Sequence, residues 1–150
     1  MQLNIHENAE KDLDTLFEKN EEGVAFIDHV LLMIDENPAL FEGLLRDPYF
    51  DHYDDYDPPI GFLGIQAKKI LSLWGQGIKV MRLRLTEESV LNIRVIFSTV
   101  LQKNQSNGTY IRQINILAVT DKQIDGFNYQ IDHPLMLRII NDYEELNSTI

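Results

Sequence analysis

The chain has 150 residues, 44% hydrophobic and 25% charged, with no cysteine, which bounds it to one domain with its own core and excludes a disulfide framework or a thiolate metal site. A net charge of −11 argues at first sight against a nucleic-acid binder. The distribution says otherwise: residues 1–67 hold 3 Lys/Arg and 16 Asp/Glu, residues 68–122 hold 9 and 3, and residues 123–150 hold 1 and 5, so a +6 segment lies inside an acidic chain.

The N-terminal MQLNIHENAEKDLDTL has neither the basic n-region nor the apolar h-region of a signal peptide. No apolar run reaches the roughly 18 residues needed to cross a bilayer, and a soluble, cytoplasmic protein is expected. Residues 2–6 can form a short strand. A helical pattern follows, with Ala9, Leu13, Leu16 and Phe17 on one face at spacings of three and four. Asn20 and Gly23 interrupt it before a second amphipathic stretch through Phe26, Ile27, Val30, Leu31 and Ile34, which Asn37-Pro38 ends. Residues 39–45 add up to one more turn. A helical hairpin is the expected form.

Asp47 to Pro59, DPYFDHYDDYDPP, reads as an acidic loop insertion at about 47–59, because its prolines and aspartates oppose a regular element. Its acids lack the alternate spacing and sixth-position glycine of a calcium loop. They form either a solvated loop or a flap folded over basic groups elsewhere. Residues 62–73 suit helix or strand. From Ile78 the period changes to two: IKVMRLRL (78–85) and LNIRVIFSTVL (91–101) read as strands. QKNQSNG (102–108) is a hairpin loop ending in Asn-Gly, and YIRQINILAV (110–119) is the returning strand. Pro134 opens a helix carrying Leu135, Leu137, Ile139, Ile140, Tyr143 and Leu146. The order β–α–α–β–β–β–α predicts an α+β domain over 1–150, with helices packed on one face of an antiparallel meander.

The ordered segments KKILSLWGQGIKVMRLRL, LNIRVIFSTVL, INILAVTDK and FNY resemble the RelE/ParE toxin superfamily over about residues 68–130. The shared pattern is a strand with x-x-R-L-R, a strand with R-V-I-Y or similar, then I-x-I-L-x-V, a basic residue and a terminal aromatic. RelE-like members cleave messenger RNA in the ribosomal A site, ParE-like members poison DNA gyrase, and both are neutralised by an antitoxin. By this resemblance the catalytic set is Arg82, Arg84, Arg94, Lys122 and Tyr129, with an antitoxin and the ribosome or its message as partners and no cofactor or metal. Phe97 stands where the family commonly has tyrosine.

The chemistry suits the residues. RNA cleavage needs a base for the 2′-hydroxyl proton, cations for the phosphorane and an acid for the leaving oxygen. Arginine forks grip phosphate at two points, and clustered positive charge lowers the pKa of a lysine or tyrosine. The expected function is a type II toxin acting as a RelE-like endoribonuclease. The alternative is a non-catalytic binding module on the same fold, either a gyrase inhibitor or an inactive homologue. Convergence of the five residues in one concave, basic patch separates the first from the second, which would show them scattered or salt-bridged beside an exposed apolar groove. The bland readings are a solvated arginine face, a carboxylate partner for Arg94, a loop position for Lys122, and packing roles for Tyr129, Phe127 and Trp74. His133 is either a helix-start residue or an acid–base partner of Tyr129. No Walker loop, G-x-S-x-G or H-E-x-x-H supports another hydrolase route.

Overall fold

The structure, a computed structural model describing residues 2–148, begins with strand β1 (Gln2–Ile5) and helix α1 (Glu7–Phe17). His6 starts the helix, its Nδ1 accepting the Asn8 N–H at 3.0 Å, which satisfies one of the donors a helix start leaves open. Helix α2 (Glu21–Glu36) begins in the same way at Asn20, whose side chain accepts from Gly23 N–H at 2.9 Å. Asn37 closes α2 and caps α3 (Pro38–Arg46), with Pro38 in the first turn, where its missing N–H costs nothing. The helical hairpin is present, and α3 is a full helix.

The acidic segment departs from expectation. Residues 47–59 are not a loop insertion: strand β2 (Asp51–Tyr56) pairs antiparallel with β3 (Gly61–Lys69), Asp51 opposite Gln66 and Tyr56 opposite Gly61. Pro58 and Pro59 are confined to the turn. Aspartates are tolerated because β2 is an edge strand, where charge faces water and discourages further pairing. The ambiguous residues 62–73 resolve into β3 and a single helical turn, α4 (Leu71–Trp74).

Strand β4 (Val80–Leu85), a 3-10 turn (Glu88–Val90), β5 (Ile93–Lys103) and β6 (Tyr110–Asp121) form the expected meander. Its β5–β6 loop carries Asn107-Gly108, with Gly108 at φ +73°, a conformation glycine adopts without steric cost. A short α5 (Lys122–Asp125) and the C-terminal α6 (Pro134–Ser148) complete the chain. The sheet order is β1-β6-β5-β4-β3-β2, with β1 parallel to β6 and every other pair antiparallel. The fold is α+β.

Alternation sorts the two faces. Leu63, Ile65, Leu83, Val95, Phe97 and Ile116 pack in one core with residues of α1, α2 and α3. The helices do not all share that face: Met136 and Ile139 of α6 pack with Val80, Ile96, Leu117, Ala118 and Phe127 on the opposite side. Helix α6 is pinned there by Arg138, which makes two hydrogen bonds to the Asp12 carboxylate at 2.8 and 2.6 Å. It covers the β6 end of its face, while Tyr53, Phe62 and Lys68 at the other end remain exposed. Among the described residues, no helix is long and apolar enough to cross a membrane.

Candidate active site

The uncovered part of this face holds Lys68, Arg82 and Arg84 of the middle segment, whereas Arg112 pairs with Glu42 of α3 at 3.5 Å. In VMRLRL the odd-numbered Met81, Leu83 and Leu85 are buried in the helix-side core, so Arg82 and Arg84 project from the other side. Register places Lys68 and Ile96 on either side of Arg82, Gln66 beside Arg84, and Arg94 opposite Thr120. Arg94 is only 9% exposed. Its Nη1 donates to the Leu91 carbonyl at 2.7 Å and the Ile93 carbonyl at 3.1 Å, and its Nε is buried without a hydrogen-bond partner. The expected alternative of a carboxylate partner for Arg94 is not what the structure holds; the partners are backbone carbonyls.

Lys122 stands at the start of α5, directly after β6. Its Nζ lies 5.5 Å from the centroid of the Tyr129 ring, and the Arg82 guanidinium lies 5.7 Å from the same ring. Tyr129 has φ +62°, a left-handed conformation that costs a non-glycine residue on the order of 1–3 kcal/mol. Two contacts hold it there. Its ring packs on buried Phe127 at 4.7 Å between centroids, and its carbonyl accepts from Ser72 Oγ at 3.3 Å. The five residues expected from sequence therefore come together on one face, contributed by β4, β5, the β6–α5 junction and the segment before α6.

The electrostatics follow from this crowding. Burial, and then the neighbouring Arg94, Arg82 and Arg84, pull the Lys122 pKa below the ordinary lysine value. Burial lowers Arg94 from the usual arginine value and nearby Arg84 and Arg82 add to the effect, against the favourable Tyr129, yet a guanidinium stays charged. Tyr129 moves the other way: burial raises its pKa more than Arg82 and Arg94 lower it. The expectation that clustered charge lowers the tyrosine is thus met only for the lysine. Tyr129 remains a phenol, and its buried hydroxyl has no hydrogen-bond partner of good geometry.

Among the described residues no carboxylate comes within 4.0 Å of Arg82, Arg84, Arg94 or Lys122. The nearest acids in sequence are engaged elsewhere. Asp121 accepts from the N–H groups of Gln123 and Ile124, and Asp125 accepts from Thr120 Oγ1 at 2.6 Å. The acidic flap does not cover the cluster either, since its residues are held in β2 at the sheet edge. Arg84 Nε and Arg94 Nε are buried without partners, and the Tyr129 hydroxyl faces the Arg94 and Arg82 guanidiniums. Guanidinium and ammonium groups are donors only, so the site is a set of donors matched to an acceptor-rich anion such as phosphate.

The remaining candidates fall outside this set. Trp74 donates its N–H to the Val80 carbonyl at 2.9 Å and stacks with Lys69, whose Nζ is 4.2 Å from the ring centroid. His133 starts α6, its Nδ1 accepting Leu135 N–H at 3.1 Å, and its ring meets Phe127 edge-on. Phe127 is core. Among the described residues no group of three or more His, Asp or Glu side chains is arranged to hold a metal ion. Two residues were missed in sequence: Gln66, which accepts from Arg84 Nη1 at 3.5 Å, and Lys68, the cross-strand neighbour of Arg82. Alternation within 61–69 places both on the arginine face once the segment is a strand. No family model, curated protein or solved structure matches the chain.

Proposed function

We propose that this chain is a RelE-like toxin of a type II toxin–antitoxin system, an endoribonuclease that works in the cytoplasm on translated messenger RNA and is neutralised by an antitoxin. The observation that carries the reading is the convergence of Arg82, Arg84, Arg94, Lys122 and Tyr129 without a carboxylate partner. A non-catalytic binder on the same fold has no need of that convergence.

In the mechanism that fits these groups, the three arginines bind the scissile phosphate and stabilise the charge of the phosphorane. Lys122, whose pKa is depressed, takes the proton of the 2′-hydroxyl. The 2′-oxygen bonds to phosphorus, the bond from phosphorus to the 5′-oxygen breaks, and a 2′,3′-cyclic phosphate forms. Tyr129, held as a phenol by burial, supplies the proton that the departing 5′-oxygen takes. General acid and base groups of this kind contribute about 10²–10⁴-fold each. The acidic segments flanking the basic one, residues 1–67 and 123–150, weaken attraction for phosphate elsewhere on the chain.

The test is induced expression of the wild-type chain and of the triple variant R82A/R84A/R94A, reading growth arrest and messenger RNA cleavage together. Arrest and cleavage by the wild type, both lost in the triple variant, are expected. Equal effects from the two proteins, or no effect from either, would overturn the reading.

A further inference from the structure

The hairpin β2–β3 extends the basic face by two strands and places an aromatic surface beside the arginines. Tyr53 and Phe62 are 50% and 68% exposed. Tyr53 lies opposite Gly64, and Phe62 shares Gly64's strand parity, so both belong to the face that carries Gln66 and Arg84. The Tyr53 ring is held in place. It lies against the backbone of Gly64, where any Cβ would collide with its Cε1, and its hydroxyl accepts from Gln66 Nε2 at 2.5 Å. The same Gln66 amide accepts from Arg84 Nη1 through its oxygen. A single glutamine therefore ties a fixed, half-exposed aromatic ring to the cation cluster.

We propose that Tyr53 is a stacking platform for one base of a single-stranded RNA whose phosphate lies on Arg84. The inference rests on the ribonuclease reading and adds a subsite to it. Aromatic rings beside a basic track are how proteins hold unpaired nucleotides, because every base offers a π face. Charge sets the orientation. Asp51 and Asp55, which share Tyr53's parity along β2, repel a phosphate, while the arginine side carries no carboxylate partner. The backbone is thus steered toward β4 and the base toward β2. Restraint of the ring by Gly64 and Gln66 lowers the ordering cost of binding.

The test uses a fluorescently labelled single-stranded RNA of about eight nucleotides, a length within the site sizes of such surfaces, with anisotropy read at low salt. The probes are the all-base oligonucleotide and an abasic series that omits one base at a time. Tyr53→Ala is expected to weaken binding roughly 5- to 150-fold, the scale of one stacked base. Tyr53→Phe keeps the ring and is expected to bind nearly as the wild type. One abasic position should weaken wild-type binding and leave the Tyr53→Ala protein unaffected. Circular dichroism of Tyr53→Ala matching the wild type excludes unfolding as the cause. If Tyr53→Ala binds as tightly as the wild type while Arg84→Ala does not, the platform is overturned and the ribonuclease reading stands. If wild type and Arg84→Ala alike fail to bind, both are overturned.

Discussion

The Asp12–Arg138 bridge joins α1 to α6 and holds the C-terminal helix over the sheet beside Tyr129, so its removal by Asp12→Ala is a direct probe of what keeps that face covered. The substitution deletes two charge-assisted hydrogen bonds, at 2.8 and 2.6 Å, and frees the Val119 N–H, which donates to the same carboxylate at 3.0 Å. The Arg138 side chain is 29% exposed and that of Asp12 18%, so water recovers part of the loss. Arg138 also keeps the Leu117 carbonyl at 3.2 Å and the Asp142 carboxylate at 3.8 Å. The cost therefore falls below the roughly 3–5 kcal/mol of breaking a fully buried pair, at about 2–3 kcal/mol. For a chain of this size that is a drop of about 4–12 °C in Tm. Urea denaturation followed by circular dichroism measures it, and the cycle with Arg138→Met isolates the pairwise part. A loss under about 0.5 kcal/mol, the scale of an exposed ion pair, would refute the claim that this bridge anchors α6.

Lys122 carries a pH prediction. Its folded pKa is depressed, so the neutral amine accumulates as pH rises and cleavage should climb with pH, levelling off below the usual lysine value. Lys122→Arg should lose that rise, and identical rate profiles for the two proteins would exclude Lys122 as the base. The linkage runs the same way: the unfolded chain binds this proton more tightly, so the lysine's stability penalty is present at neutral pH and relieved as pH climbs from the folded toward the unfolded pKa. Lys122→Met should accordingly stabilise the fold at pH 7, by on the order of 0.5 kcal/mol for a partly exposed charge, measurable as a higher urea midpoint. Tyr129→Phe removes a buried hydroxyl whose contacts with Arg94 and Arg82 fall short of well-formed hydrogen bonds and should change stability by less than about 1 kcal/mol while slowing cleavage about 10²–10⁴-fold. Phe127→Ala should cost about 3–5 kcal/mol, because the ring is 2% exposed in the core that supports Tyr129.

Local pattern alone placed several of these features. The alternation of VMRLRL set Arg82 and Arg84 on one side of a strand, Asn107-Gly108 set the β5–β6 turn, and Asn37-Pro38 set the end of one helix and the start of the next. Such features need only period, capping and turn chemistry, which neighbouring residues supply. What the acidic segment would do was decided by its neighbours in space. Asp51–Tyr56 has the composition of a loop, yet it becomes a strand because β3 offers an unpaired edge and the outer side of that edge tolerates charge. Which face α6 covers was likewise tertiary, settled by Arg138 reaching Asp12, 126 residues away.

The five basic and aromatic residues were legible as types at positions, from Arg82 to Tyr129, but their meeting depends on the β4–β5–β6 register and on a left-handed Tyr129 held by Phe127 and Ser72. The lowering of Lys122 was legible from its clustered charge, whereas the rise of Tyr129 was not. Clustered charge is visible in a sequence and burial is not. Here burial outweighs charge at Tyr129, raising its pKa, and acts with charge at Lys122, lowering its own.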